Sequence, residues 1–382
     1  MAVTPGGLLD SPGIVGGREE ELDTPAVVVD LERLERNIRE WQAAMDAAGV
    51  RFRPHVKTHK IPEIAAMQTA AGAVGIIAAK VSEAEVFERA GIRDICIAFP
   101  VIGRQKWQRV AEMARRGVRV VINVDSETGA RGLSEAADAA GVTILLQIDV
   151  DSGMHRGGIP PADVDDIETL ARTIMRLPGI EFDGITTHRG LSFDGATTPE
   201  EAGHEEGGIL VRLAEKLGAR GVPVHEITAG STFTGRWVAE VPGVTEARAG
   251  TYVFYDLMHV GAGTATFDQL ALSVLCTVVS RAAGDRITID AGSKTFSNDH
   301  EAEGRQRDPQ PISRAAGRRI SVDWLTEEHG MARTQEEVEI GEKISFYPYH
   351  ACPCVNLTNE IAGVRDGRVE RIWPVLARGL RN

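Results

Sequence analysis

The run Arg53-Pro54-His55-Val56-Lys57-Thr58-His59-Lys60 places two lysines, two histidines and an arginine within eight residues. A lysine drawn out of water has a lowered pKa, and its neutral amine condenses with a carbonyl to form a Schiff base. The same residues would also serve as a solvated basic loop or an anion site, so their position must decide. Two later stretches, Ala229-Gly230-Ser231-Thr232 and Gly250-Thr251-Tyr252, each follow a short candidate strand. Such loops offer backbone N–H groups, small side chains and hydroxyl donors, which is what a phosphate needs. Each alone is equally ordinary turn chemistry. A third feature is His350-x-Cys352. In a strand or extended loop, residues i and i+2 point to the same side, so imidazole and thiolate would share one metal ion. Nitrogen plus sulfur suits a borderline-soft ion such as zinc, whereas manganese prefers oxygen. Two protein ligands leave positions open for water or substrate. The alternative is that both side chains pack in a small β core, with Cys354 an equal choice.

The elements that must position these groups follow from the patterning. Thr24-Pro25 leads into Ala26–Val29, a β-branched run that reads as a buried strand. A helix pattern follows, with Leu31, Leu34, Ile38, Trp41 and Met45 near helical spacing and Asp30 as N-cap. Further strands are expected at Gly75–Ala78, Ile95–Ala98, Arg119–Asn123, Ile144–Val150, Gly184–Thr187, Glu226–Thr228 and Glu246–Ala249. Helix-length segments such as Ser82–Ala90, Arg104–Arg116 and Glu200–Ala219 lie between most of them. This alternation is the signature of a parallel, TIM-like β/α barrel over residues 26–263, with a doubly wound open sheet as the runner-up. After Thr264 the pattern turns β-rich through residue 382, with strands at Leu270–Ser280, Arg286–Asp290, Lys343–Tyr347 and Arg368–Trp373. Asp366-Gly367 is a hairpin signal. Residues 1–25, rich in Gly, Pro and acidic groups, read as a flexible lead-in. In a barrel, functional groups sit where strands exit. Lys57 and His59, Arg156, His188, the Gly230 loop and the Gly250 loop all fall there.

Composition narrows the class. The chain has 382 residues, 43% of them hydrophobic, and a net charge of −13. That balance argues against nucleic acid or an anionic membrane as partner, because either needs a basic face. There is no apolar run long enough to span a bilayer and no signal peptide. Four cysteines in so long a chain fit a reducing cytoplasm rather than a disulfide scaffold. The late Gly261-Ala262-Gly263 has no acidic partner at dinucleotide spacing and is discounted.

A Schiff-base lysine, an arginine and paired phosphate loops together suggest pyridoxal phosphate (PLP). The motifs Thr24-Pro25…Asp30, Arg53–Lys60, Lys80-Val81-Ser82-Glu83-Ala84, Asp149–Arg156, Gly230-Ser231-Thr232, Tyr252…Asp256, Glu328-His329-Gly330 and His350-Ala351-Cys352-Pro353 resemble the fold-type III PLP enzymes. Among these alanine-racemase-like barrels, the resemblance is to the D-threonine aldolase and D-serine dehydratase group. It implies that Lys57 is the Schiff-base lysine and that Arg156 approaches the ring hydroxyl. It implies that the loops at Gly230, Ser231 and Thr232 and at Gly250, Thr251 and Tyr252 hold the phosphate. It further implies a zinc or manganese ion at His350 and Cys352, a D-amino-acid substrate and a homodimer.

Two reactions use these parts. Loss of the hydroxyl proton would break Cα–Cβ and release glycine and an aldehyde, the aldolase outcome. Removal of the α-proton by Lys57 would expel water and yield a 2-oxo acid and ammonia, the dehydratase outcome. His59 and His188 are the candidate bases, each also readable as structural. Cys352, the Thr187-His188 exit and Tyr252–Asp256 resemble the dehydratases. Pro353-x-x-Asn356-Leu357 and the tail from Trp373 to Gly379 resemble the aldolases, though Arg189 stands where an aldolase histidine is expected. The reading favours the aldolase. A racemase, with Tyr255, Tyr347 or Tyr349 as second acid/base and no metal, and a non-catalytic PLP carrier are the remaining alternatives.

Overall fold

The computed structural model describes residues 13–191, 196–281, 284–298, 311–314 and 320–382. The chain divides into two compact units. One comprises Arg39–Lys57, Ile64–Gly250 and Leu380–Asn382, and the other Met1–Ile38, Thr58–Glu63 and Thr251–Gly379.

The strands, in chain order, are β1 (Ala26–Asp30), β2 (Arg51–Phe52), β3 (Ile76–Ala78), β4 (Asp94–Ile97), β5 (Arg119–Val124), β6 (Ile144–Val150), β7 (Ile180–Thr187), β8 (Glu226–Ala229) and β9 (Glu246–Ala247). There follow β10 (Leu272–Ser280), β11 (Arg286–Ile289), β12 (Ile312–Ser313), β13 (Ser321–Leu325), β14 (Gly330–Arg333), β15 (Lys343–Tyr347), β16 (Glu360–Arg365) and β17 (Arg368–Pro374).

The first unit is a parallel barrel. Its eight strands run β2-β9-β8-β7-β6-β5-β4-β3. The extended chain after β2 closes the ring: Arg53 and His55 donate N–H bonds to Ala247 and Ala249, while Val56 donates to Ile77 and Ile77 donates to Pro54. Strand interiors are β-branched and buried, as in Val120, Val121 and Ile122. Helices return the chain between strands, and their faces follow the helical period. In Val164–Arg176 the buried Ile167, Leu170, Ala171 and Ile174 fall at i, i+3, i+4 and i+7. Each such aliphatic side chain contributes about 1.5–3 kcal/mol on leaving water. The helix Pro199–Ala219 starts at a capping box, with Thr198 accepting from Glu201 N–H and Glu201 reaching back to Thr198 N–H.

The second unit is a nine-stranded sheet in the order β11-β14-β13-β12-β15-β10-β1-β16-β17. β11 also pairs with β10, so six antiparallel strands form a ring. β1 joins β10 antiparallel and β16 parallel. The expected Asp366-Gly367 turn is there, with φ of +50° and +71° at its two residues, the values a tight hairpin turn demands.

Three expectations need correction. Ala26–Asp30 is not the first barrel strand but the middle of the β-rich sheet. A fully buried β-branched run has the same pattern in either sheet, and strand order is not written in it. The place is taken by Arg51–Phe52 and the closing chain behind it, which is too short and too charged to show period-2 patterning. The lead-in of residues 1–25 lies partly outside the described residues. From Gly16 it is bound to the hairpin, with Gly16 N–H on Val369 carbonyl and Glu19 N–H on Gly367 carbonyl. Finally, His350-x-Cys352 is not on a strand. His350 is the N-cap, in extended conformation, of a helix Ala351–Leu357 that carries Cys352. Among the described residues no helix is long and apolar enough to cross a membrane.

Candidate functional site

In the barrel unit, Lys57 stands exposed in the turn after the ring-closing segment. Its N–H donates to His55 Nδ1 at 3.3 Å. Arg156 is exposed on the loop after β6. Asp151 organises that loop, its Oδ1 accepting from the N–H groups of Gly153 and His155 at 3.0 and 2.9 Å. Those bonds and the His155 ring hold the Asp151 carboxyl below its ordinary range against the opposing effect of burial.

His188 follows β7. Burial, with the charges of Lys57, Arg156 and Arg248, pushes its pKa down to about 3, opposed by a hydrogen bond to the Gly230 backbone. The imidazole is therefore neutral and a weak proton acceptor. The charges of one lysine and two arginines act on this strand exit.

The two glycine loops are joined by a hydrogen bond. Thr232 Oγ1 accepts from Gly250 N–H at 3.1 Å. Ser231 Oγ accepts from Phe233 and Thr234 N–H at 3.1 and 3.3 Å. Gly230 has φ of +101°, and a Cβ there would lie 2.9 Å from Gly235 Cα. Only glycine allows that turn.

One residue that sequence reasoning missed is Arg248, just past β9. It is 6% exposed. Its Nε and Nη2 have no hydrogen-bond partner among the described residues. Its charge acts on Asp149, His188 and Glu206. A buried guanidinium with idle donors is costly unless an acceptor arrives. The sequence signal was a lone arginine two residues before Gly250, indistinguishable there from a surface charge.

The β-rich unit holds the other expected residues. His59 is fully buried, and its Nδ1 accepts from Ile61 N–H at 3.1 Å, which assigns the neutral tautomer with hydrogen on Nε2. Thr251 and Tyr252 open a single 3-10 turn, with Tyr252 buried. Cys352 Sγ lies 3.2 Å from Thr58 Oγ1 and 3.6 Å from Thr251 Oγ1. Asp256 braces the helix below it: Oδ2 accepts from Ala351 N–H at 2.9 Å and Oδ1 meets His259 Nδ1 at 2.6 Å. Burial would raise the Asp256 pKa, but His259 and His350 hold it below the ordinary value. Cys354, the alternative ligand, is fully buried, and burial pushes its thiol up to about 12. Cys352 is half-buried and keeps access. Among the described residues no three His, Cys, Asp or Glu side chains gather into a metal cluster. A cation held by His350 and Cys352 would thus have two protein ligands and open positions.

The residues of the barrel unit fit the chemistry of a PLP molecule. The aldehyde needs an amine, the phosphate needs glycine loops, and the ring nitrogen is an acceptor of the kind Arg248 lacks.

The comparisons with known proteins point the same way. Residues 29–257 match the alanine racemase N-terminal domain model, and residues 271–364 match the putative serine dehydratase domain model. D-threo-3-hydroxyaspartate dehydratase of a Delftia species is 36% identical over 87% of this chain and 91% of its own. A solved cysteine-to-alanine variant of that enzyme, described as metal-free, has a TM-score of 0.84 at 32% identity, covering 94% of this chain and 98% of its own. D-threonine aldolase of an Arthrobacter species is 34% identical over 97% of both chains. The crystal structure of D-threonine aldolase from Filomicrobium marinum superposes with a TM-score of 0.87 at 30% identity, covering 97% of this chain and 99% of its own.

Proposed function

The chain belongs to the alanine-racemase-like family of PLP-dependent lyases that includes the D-threonine aldolases and D-serine dehydratases, and on that footing we propose that it cleaves D-3-hydroxy-α-amino acids to glycine and an aldehyde with the help of a divalent metal. What supports the metal is the sequence motif His350-x-Cys352, with Cys352 half-buried and Cys354 fully buried. A racemase needs no metal at that place, and a non-catalytic carrier needs no second unit.

Lys57 would hold the cofactor through Nζ. Arg156 would approach the ring hydroxyl. Gly230, Ser231, Thr232 and Gly250 would hold the phosphate, with Thr251 and Tyr252 continuing that loop. Arg248 would donate to the pyridine nitrogen. A guanidinium keeps its own proton, so that nitrogen would be hydrogen-bonded but not protonated. When bound, PLP supplies an electron sink for the bond that breaks, and the metal lowers the pKa of the β-hydroxyl. His350 and Cys352 would hold the metal, and the hydroxyls of Thr58 and Thr251 would orient the thiolate. Burial and the charges of Lys57, Arg156 and Arg248 depress the His188 pKa, which would make it a poor base. We also propose that the enzyme is a homodimer.

A specific observation keeps the dehydratase reading in play. Arg189 takes the place of an aldolase histidine, and its guanidinium is paired with Glu205 at 2.6 Å. His59 Nδ1 is already engaged by Ile61. Elimination needs only the Lys57 amine as base, so it suits a site short of a second one. Purified enzyme with PLP and zinc or manganese, given D-threonine and D-serine separately, distinguishes the two. Glycine and acetaldehyde, lost on chelation, are expected. Pyruvate or 2-oxobutyrate with ammonia would establish the dehydratase, and appearance of the L-enantiomer alone would overturn both.

A further inference from the structure

The roles assigned above leave a buried carboxylate in the barrel unit unused. Glu206, in the helix Pro199–Ala219, has 0% exposure. Its Oε1 accepts from Arg189 N–H at 3.0 Å and from Gly230 N–H at 3.2 Å. Its Oε2 accepts from the Thr234 hydroxyl at 2.7 Å. A carboxylate taken out of water is held only where such donors replace the solvent.

The helix reaches these groups because of a glycine one turn earlier. A Cβ on Gly203 would lie 2.7 Å from both Thr234 carbonyl oxygen and Trp237 Cβ. The backbone of the helix therefore presses against the 230–238 segment, and Glu206 is aimed at the loop from behind. Its partners have a pattern. Gly230 and Thr234 are the two ends of one arch, and both end on the same carboxylate. Ser231 and Thr232, at the crest, are fixed separately by Ser231 Oγ accepting from Thr234 N–H and Thr232 Oγ1 accepting from Gly250 N–H. The third partner, Arg189, follows His188 directly.

We propose that Glu206 is a positioning residue that clamps the Gly230–Thr234 arch into its anion-receiving form and sets His188 beside it. The inference rests on reading that arch as the phosphate site of PLP. Glu206 itself touches neither cofactor nor substrate, so its effect should follow the phosphate and not the aldehyde.

Cofactor-stripped protein titrated with PLP and, separately, with pyridoxal, which lacks the phosphate, separates these effects. Binding is followed by the change in visible absorbance at Lys57. Glu206→Gln replaces an acceptor by an amide that cannot serve all three donors. It is expected to weaken PLP by about tenfold or more and to leave pyridoxal within about twofold. Thr234→Val, which removes a single partner, is the second variant and should weaken PLP alone by a smaller factor, about threefold. PLP affinity unchanged in a folded variant, or an equal loss for PLP and pyridoxal, would overturn the clamp. A wild-type protein that binds pyridoxal as tightly as PLP would instead overturn the phosphate reading, and the clamp with it.

Discussion

At the scale of single residues, candidate groups are legible where a motif concentrates unusual side chains and illegible where burial sets their environment. Lys57, Arg156 and the two glycine loops stand out as candidates because unusual residues cluster around them in sequence. Arg248 and Glu206 do not, since a lone charge in a strand exit or a helix looks like surface until its exposure is known. Asp149 opens the Asp149–Arg156 motif, but its burial does not show in the sequence, and that burial makes a pH-dependent expectation. Burial raises its pKa from 3.8 to about 6, opposed by Arg248 and Arg156 and reinforced by Asp125 and Asp151. A carboxyl whose folded pKa lies above its unfolded value favours the fold fully below the unfolded pKa. That contribution is lost as pH rises through the folded pKa. Two units correspond to about 3 kcal/mol. Urea midpoints of cofactor-stripped protein should therefore fall between about pH 4 and pH 7 by more in wild type than in Asp149→Asn, where the group no longer titrates. Parallel pH profiles for the two proteins would remove Asp149 from the account.

At the scale of elements, the proposed metal pair rests on a backbone argument that the structure does not share. Same-side alternation in a strand or extended loop was the argument for pairing His350 with Cys352, yet only His350 is extended and Cys352 lies within the helix Ala351–Leu357. The helix is short and contains Pro353 in its first turn, where a missing N–H costs nothing, so its period leaves no readable stripe. What sets it in place comes from about a hundred positions earlier in the chain, which no local pattern reports. Asp256 accepts the first N–H of the helix and is itself held by His259. Asp256→Asn keeps the shape and removes the charge that both partners need. The expected cost is about 2–3 kcal/mol of stability for the buried charge-assisted bonds. Zinc affinity should fall by about tenfold or more, because the backbone next to His350 is no longer fixed. Competition with a chromophoric chelator reads the second quantity without any turnover. Unchanged zinc affinity in a destabilised variant would make Asp256 a brace of the fold alone.

At the scale of the whole molecule, the two-part organisation was legible because the patterning changes from strand-and-helix alternation to strands and turns. The exact partition was not, because β1 carries a core pattern that either sheet would accept and only pairing with Leu272–Leu275 and Ala362–Val364 assigns it. The basic motif illustrates the same limit from the other side. Of its cations, Arg53 reads as chemistry and serves architecture. It is 4% exposed, donates from Nε to Glu246 at 2.9 Å, and pairs with Asp94 through Nη1. Glu246 lies on β9 and Asp94 on β4, so one guanidinium at the closing segment links strands on either side of the barrel seam. The Coulomb gain of such a pair is largely offset by desolvation, but a half-broken pair leaves a buried charge alone. Arg53→Met should therefore cost about 3–5 kcal/mol, far beyond the loss of a surface ion pair. Adding Glu246→Leu removes the orphaned carboxylate and should restore most of that loss, since an apolar pair of similar volume satisfies the site without partners. Urea unfolding of the two single variants and the double variant measures the coupling directly. Single-variant losses that simply add in the double would mean that the seam is held by its backbone bonds and packing, with the ion pair a passenger.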